Sequence, residues 1–451
     1  MTTLCPSIVR IVAAAAALGS GAASAQTPAL AWVALYNGPA SHQDHAACVL
    51  ADAAGVYVAG TSYSVGESTD MTILRYSSAG QLVWERHFVG PAGGGDEPSD
   101  IAAHPGGGVV VVGYTTGIGA RQITTLRFSA EGDLLWERHR PSSGFVIADW
   151  GPRVAVGPGG TVHVSGVTEG DYLALAYATD GAPRWEAQLD LSAGALDSAT
   201  DIAAGGDGSV YITGAVDDGR GGYSTVKLDA SGGHEWTHNE FGPFGSTLGP
   251  AFIEPSPDGA VIVSGVPETT CGLFQSRTWK LAPDGAPVWM SVFPPEPCGT
   301  VDMAAMAVGE DGSVVVLAQS LRQGEPGSHN YGLFKCDASG EMLWWRTLDG
   351  PGGSTDIPGG LAIDGAGNAH IAGMSWVGGG LYDAVVAAYS PAGALLWTDR
   401  FDLGASNERP AAVGVSARGE AYVAGSYQEA GEADNIFLLK YHRLLRSASP
   451  R

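Results

Sequence analysis

The chain is predicted to be all-β, an eight-bladed β-propeller of four-stranded antiparallel blades closed by its N-terminal strand pairing in the last blade. Three observations lead there. Among 451 residues there are 67 Gly and 26 Pro, yet 45% of the chain is hydrophobic. That mixture fits many short strands joined by turns, not a disordered Gly-rich polymer. A ten-residue pattern recurs, and its copies end in tryptophan at spacings of 49 to 55 residues, the period of a propeller blade or similar unit. Finally, the first and last segments are out of phase with that repeat.

The pattern reads RYSSAGQLVW (ending at Trp84), RFSAEGDLLW (Trp136), AYATDGAPRW (Trp185), KLDASGGHEW (Trp236), KLAPDGAPVW (Trp289), KCDASGEMLW (Trp344) and AYSPAGALLW (Trp397). In each copy glycine precedes tryptophan by four residues. Trp32 is an eighth tryptophan, near the N-terminus and without a preceding strand. Each repeat also holds an apolar strand ending in a small residue, as in VYVAG (56–60), VVVVG (109–113) and AYVAG (421–425). A Gly-rich turn and a shorter apolar segment precede it. Short β-branched runs between turn residues give four strands per repeat, named a to d in chain order. No stretch sustains a 3.6-residue period, so almost no helix is expected.

The ends decide between an open array and a ring. The chain opens with a lone d strand, LAWVALY (30–36), and stops after an eighth c strand, NIFLLKYH (435–442). A ring is completed when these two strands pair, whereas an open array would carry incomplete units at both ends.

Residues 1–25 read as a secretory signal peptide: one positive charge at Arg10, a short apolar core, and ASA ending at Ala25. The expected organisation is a leader over 1–25, a propeller over 26–442 and a short basic tail over 443–451. A secreted or periplasmic location follows, with no membrane insertion, because no later segment approaches about 18 uninterrupted apolar residues. The formal charge is −24, and loss of Arg10 with the leader makes it −25. So acidic a surface repels nucleic acid and favours solubility.

The repeat resembles the bacterial β-propeller repeats called SBBP, and the DASG…W turn resembles the tryptophan-docking motif of quinoprotein-like eight-bladed propellers. The resemblance covers about residues 28 to 442. It implies the fold, with tryptophans docking adjacent blades, but such repeats serve many functions and it implies little about activity. The WD dipeptide of WD40 blades is absent. So are C-x-x-C-H, H-E-x-x-H, G-x-S-x-G and the P-loop. No covalent haem is expected, and no pocket for a quinone is recognisable.

Register comparison separates repeated positions from special ones. Five residues before the turn glycine stand Arg75, Arg127, Ala176, Lys227, Lys280, Lys335 and Ala388, with Lys440 in the last repeat. This reads as a structural position whose long stem covers apolar surface while its charge reaches water. Cys48 and Cys336 read as small core hydrophobes, and His163 and His370 take places held elsewhere by tyrosine. Cys271 and Cys298 fit no strand and lie in the b–c and d–a loops of one blade, so a disulfide is expected in an exported protein.

The a–b and c–d turns are short and alike, while the d–a and b–c loops vary, and function is expected on the face with variable loops. His42, Asp44 and His45 are donors a metal could use, or ordinary polar loop residues. Trp150 and Trp376 lie off register in loops, where they either stack on a sugar or peptide or fill gaps. Asp96, Glu97, Asp100, Asp149, Asp197, Asp201, Asp302 and Asp356 fall near the starts of the innermost strands, where they could serve acid–base chemistry or hold calcium. The favoured expectation is a monomeric binding or scaffold ring for a protein or carbohydrate. The alternative is a polysaccharide lyase or glycoside hydrolase using carboxylates near the channel.

Overall fold

The computed structural model describes residues 8–12, 30–40, 42–63, 68–117, 120–143, 151–216, 222–241, 251–266, 275–293, 300–321, 329–351, 355–404, 406–429 and 433–442. Among them there is no helix, and hence none long and apolar enough to cross a membrane. Seven blades are formed by consecutive strands, the first by Asp44–Ala51, Gly55–Tyr63, Thr69–Ser77 and Leu82–Phe88. Blade 8 takes a, b and c from Ser406–Val415, Ala421–Glu429 and Asp434–Tyr441, and its d strand is Leu30–Asn37 from the other end of the chain. Val33 pairs with Leu439 and Leu35 with Phe437, which is the predicted closure. The a strands of neighbouring blades touch all the way around, so they line the axis. Ile8–Val12, part of the expected leader, lies antiparallel on the outer edge of Leu30–Asn37, and the ring closes without it.

Both faces of each sheet pack on a neighbour, which explains why the b strands are continuous apolar runs with no alternation of polar and apolar residues. Val109, Val110, Val111 and Val112 are all fully buried. The stereotyped turns have one hydrogen-bonding design. In the c–d turn of blade 4, Gly232 N–H donates to the Asp229 carbonyl and Asp229 N–H to the Gly233 carbonyl; the a–b turn at Gly205, Gly208 and Ser209 repeats it.

That turn explains the Gly-x-x-x-Trp spacing, because the two residues serve different seams. The glycine of one blade receives the indole of the blade before it. Gly132 has φ +89°, and a Cβ there would lie 2.8 Å from the Trp84 ring; Gly181 and Gly340 stand likewise against Trp136 and Trp289. Each docked indole N–H donates to a carbonyl of that turn, as Trp84 does to Ala130 (2.9 Å) and Trp236 to Pro283 (3.1 Å).

The basic position differs from expectation. The side chains are buried and their charges do not reach water: Arg75, Lys227, Lys280 and Lys440 pair with acids of the a–b turn or strand d, whereas Arg127 donates to the carbonyls of Gly107 and Phe128. Lys280 Nζ stands 2.6 Å from Asp258, Arg75 2.8 Å from Asp52 and Lys440 2.8 Å from Glu420, each with a basic side chain about 7% exposed or less. Where the position is alanine, the cross-strand partner becomes histidine: His163 opposite Ala176 and His370 opposite Ala388. His370 pairs with Asp364 at 3.2 Å, while both ring nitrogens of His163 are buried without a hydrogen bond. Cys336 is a buried free thiol, as expected of a core residue. Cys48 is also free but only half-buried, since it stands one residue off the apolar position assigned to it.

Candidate functional site

The d–a and b–c loops share one face, and the acids at the starts of the a strands anchor it. Asp44, Asp96, Asp197 and Asp356 share one register and are buried. Each carboxylate accepts the N–H of the residue six before it: Gly38 for Asp44 (2.6 Å), Gly90 for Asp96, Leu191 for Asp197 (2.7 Å) and Gly350 for Asp356 (2.9 Å). At Gly38 or Gly90 a Cβ would come within 2.6 Å of the carboxylate, so glycine lets the loop close over it. Burial raises Asp44 to about 6 and shifts Asp96 and Asp356 upward. Asp96 and Asp356 are therefore loop anchors and do not present open carboxylates to a ligand.

The expected metal donors do not converge. Asp44 is turned inward, the His42 ring stacks on Tyr63 at 4.4 Å, and His45 Nδ1 lies 3.5 Å from Asp434. Trp376 sits not in a loop but within strand Ala369–Gly378, half-buried and opposite Tyr382, just before the hairpin at Gly378–Gly380. Asp302 lies in strand Thr300–Val308 opposite Gln319. Asp149, Trp150, Cys271 and Cys298 lie outside the described residues.

A polar layer on the axis gathers residues from four blades. The a strands of blades 1, 2 and 4 carry a one-residue bulge, and the residue after it is Cys48, Asp100 or Asp201. Arg153 takes the equivalent place in blade 3, opposite Ser165. Asp100 accepts Val154 N–H (2.9 Å) and Asp201 accepts Ile253 N–H (2.9 Å), so each carboxylate ties its blade to the next. Arg153 donates to the carbonyls of Thr200 and Ser99, both at 3.2 Å, bracing the blades on either side. Asp201 is pushed up to about 6, mainly by burial, although Arg153 opposes the shift. Glu254, one turn of the pleat further along in blade 5, is raised to about 8 by burial, with the charges of Asp201 and Asp100 adding to it. Sequence reasoning named Asp100 and Asp201 but missed Arg153 and Glu254, which sit in strands of only four residues.

On the loop face of blade 2, Gly95, Glu97, Tyr114, Thr116 and Arg121 border an open groove. The Arg121 guanidinium lies 3.9 Å over the Tyr114 ring and 3.6 Å from Glu97.

No family model matches the chain, and no curated protein matches it in sequence. Among solved structures it is similar to a quinohemoprotein alcohol dehydrogenase from Comamonas testosteroni (TM-score 0.53, 13% identity, 91% of this chain and 76% of that one). It is also similar to a protein from Lactobacillus plantarum (TM-score 0.47, 13% identity, 80% and 96%). A third is the polysaccharide lyase Uly1 (TM-score 0.43, 14% identity, 76% and 89%). At such identities the likeness is one of fold alone: this chain is an eight-bladed β-propeller with quinoprotein-dehydrogenase-like structural neighbours.

Proposed function

We propose that the chain is an exported, monomeric binding or scaffold ring that presents its d–a and b–c loops to a carbohydrate or protein. The observation that supports this reading is how the axial charges are used. Asp100, Asp201 and Arg153 spend their hydrogen bonds on main-chain groups of adjacent blades, so they hold the ring together and leave recognition to the loops. The groove with Tyr114, Arg121 and Glu97 combines an aromatic body with charged hydrogen-bonding groups, a lining suited to a sugar or peptide. The disulfide between Cys271 and Cys298 and the SBBP kinship belong to the same proposal.

A glycan array probed with and without calcium tests it. A glycan hit that Arg121→Ala or Trp376→Ala weakens, and Lys280→Ala leaves intact, supports the reading. Binding that neither Arg121→Ala nor Trp376→Ala weakens would move function off this face. One observation favours the alternative of a polysaccharide lyase or glycoside hydrolase: Glu254 stands on the axis near Asp201 and Asp100, and burial with those two charges pushes its carboxyl up to about 8, so that it holds a proton near neutral pH. Polysaccharide cleavage lost in Glu254→Gln would decide for catalysis.

A further inference from the structure

On the outer rim of the ring, strand d of blade 2 (Leu134–Pro141) and strand d of blade 3 (Pro183–Leu189) border a groove of about 350 Å³. That volume lies at the lower end of the range for small-ligand pockets. Leu175 and Tyr177, both buried, form its apolar lining, and three guanidiniums, Arg138, Arg140 and Arg184, share the rest with one carboxylate, Glu186. The chain as a whole carries a net charge of −24.

The register of the repeat separates these arginines. Arg138 is a docking residue: its Nε donates to the Gly181 carbonyl at 2.7 Å, as Arg86 does to Gly132 and Arg346 to Gly393. Arg140 and Arg184 stand where the repeat is mostly apolar. The residue four after the tryptophan is Phe88, Leu189, Phe293, Leu348, Phe401 or Tyr36 in six blades, Arg140 in blade 2 and Glu240 in blade 4. The residue just before the tryptophan is Val83, Leu135, Val288, Leu343, Leu396 or Ala31 in six blades, Arg184 in blade 3 and Glu235 in blade 4. Three of these four charged exceptions are neutralised: Glu240 by Arg277, Glu235 by Lys227 and Arg140 by Glu186 at 2.7 Å. Arg184, exposed, has no acidic partner among the described residues. Glu137, beside the groove, faces His139 at 3.5 Å instead.

We propose that this groove binds an acidic sugar unit of a polysaccharide, a uronate or a sulfate ester, with Arg184 holding the oxyanion. The planar guanidinium fork matches such a group. Arg184 donates only through Nη1, to Thr161 Oγ at 3.2 Å, which steadies the side chain and leaves Nε and Nη2 for a ligand. Arg184 also lines a second groove of about 610 Å³, together with Thr179 and Asp180, so the two grooves offer a path for a chain of sugars. Glu186 in the first groove and Asp180 in the second are acceptors for sugar hydroxyls. A polyacidic peptide would bring carboxylates to them with no hydroxyl to donate, which favours the sugar. The site lies on the outer rim, so it stands or falls apart from the loop-face reading.

Calorimetric titration of the full-length protein with an oligogalacturonate and with a sulfated galactose oligosaccharide tests it, with a neutral galactose oligosaccharide and a glutamate oligopeptide as controls. Saturable binding of at least one acidic oligosaccharide is expected, weakening as salt is added, with none for the controls. Arg184→Leu, which installs the residue found at Leu135 and Leu343, should weaken binding about tenfold or more, the equivalent of one charge-assisted hydrogen bond. Arg140→Leu should also weaken it without lowering the melting temperature, because leucine suits that register and the freed Glu186 side chain is 48% exposed. Arg121→Ala, on the loop face, should leave it as in the parent. Failure of both acidic oligosaccharides to bind overturns the proposal, as does parental binding in Arg184→Leu. Equal binding of the glutamate peptide would give the groove to a protein ligand, and loss of binding in Arg121→Ala would return the sugar to the loop face; either result also overturns it.

Discussion

Seven of the eight blade seams are joined by an indole on a glycine turn, and the eighth is not. At the seam of blades 7 and 8, Trp397 has no such turn to meet, because strands c and d of blade 8 come from opposite ends of the chain. An aromatic stands at the register of Tyr441 in other blades as well, as Phe128 beside Trp84 (6.4 Å) and Tyr389 beside Trp344 (6.3 Å), but here the rings stack more closely, at 5.0 Å, and the Tyr441 hydroxyl donates to Asp399 at 3.0 Å. Trp397 is also the most deeply buried of the repeated tryptophans, at 1%, whereas Trp84 and Trp136 keep 7% and 8% and Trp185, Trp236 and Trp289 are only half-buried. Where the covalent turn is missing, aromatic stacking and fuller burial join the blades in its place.

The largest effect should come from opening that closure. Deleting residues 30–37 leaves Asp434–Tyr441 with an unpaired edge and empties the Gly80 turn of Trp32. The melting temperature should fall by at least about 10 °C or unfolding should lose cooperativity, the scale expected when several kcal/mol of packing is lost. Removing residues 1–12 should change neither. Equal melting curves for all three proteins would show that the N-terminal strand does not close the ring.

Next in size is the tryptophan contrast. Trp397→Ala should cost roughly 3–5 kcal/mol, the range for a large aromatic buried in a core. Trp236→Ala should cost about half as much, because part of that ring already meets solvent. Urea unfolding measures both, and equal losses would mean that the turn and the stack are worth the same.

Two histidines at one register provide a pH contrast. Burial holds His163 down to about 4 from its ordinary 6.5. Its unfolded form therefore takes up a proton first, and stability is lost as pH falls from about 6.5 to about 4, by up to roughly 3 kcal/mol. Asp364 behaves otherwise: burial would raise it, but hydrogen bonds from His370 and Asn368 outweigh burial and hold it at about 2. Its contribution is present above its ordinary 3.8 and fades as pH falls toward 2. His163→Tyr, which matches Tyr57, Tyr211 and Tyr422, should flatten the first step and leave the second. Denaturation midpoints between pH 7 and 3 would show it, and an unchanged slope above pH 4 would refute it.

The ring was legible in the sequence because Gly-x-x-x-Trp repeats a contact that every seam but one must make. The axial layer was not, because bulges shift the register of the a strands, and Arg153 and Glu254 occupy strands too short to show a pattern. Asp96 and Asp356 looked like ligand acids because burial cannot be read from an acid in a Gly-rich loop; the glycine six residues earlier was the available sign of an anchor. The basic position was read correctly as structural but given the wrong environment. Its acids lie in distant turns, Asp52 being 23 residues from Arg75, and only the folded blade brings them together.

The smallest contrast concerns two of those lysines. Lys440 Nζ donates to the Ser78 carbonyl at 2.8 Å, and the Trp32 indole donates to the same oxygen at 3.1 Å. Lys227 and Trp236 converge in the same way on Pro283. The carboxylates differ: Glu420, beside Lys440, is 18% exposed, whereas Glu235, beside Lys227, is 41% exposed. Replacing either lysine by methionine keeps the stem and removes the charge. At Lys227 the freed carboxylate is well solvated, so the cost should stay within about 1 kcal/mol. At Lys440 the abandoned Glu420 is mostly shielded, and the lost bond crosses from the last blade to the first, so about 1–3 kcal/mol is expected. Equal unfolding midpoints for Lys440→Met and Lys227→Met would mean that solvation of the abandoned acid does not set the cost at this repeated position.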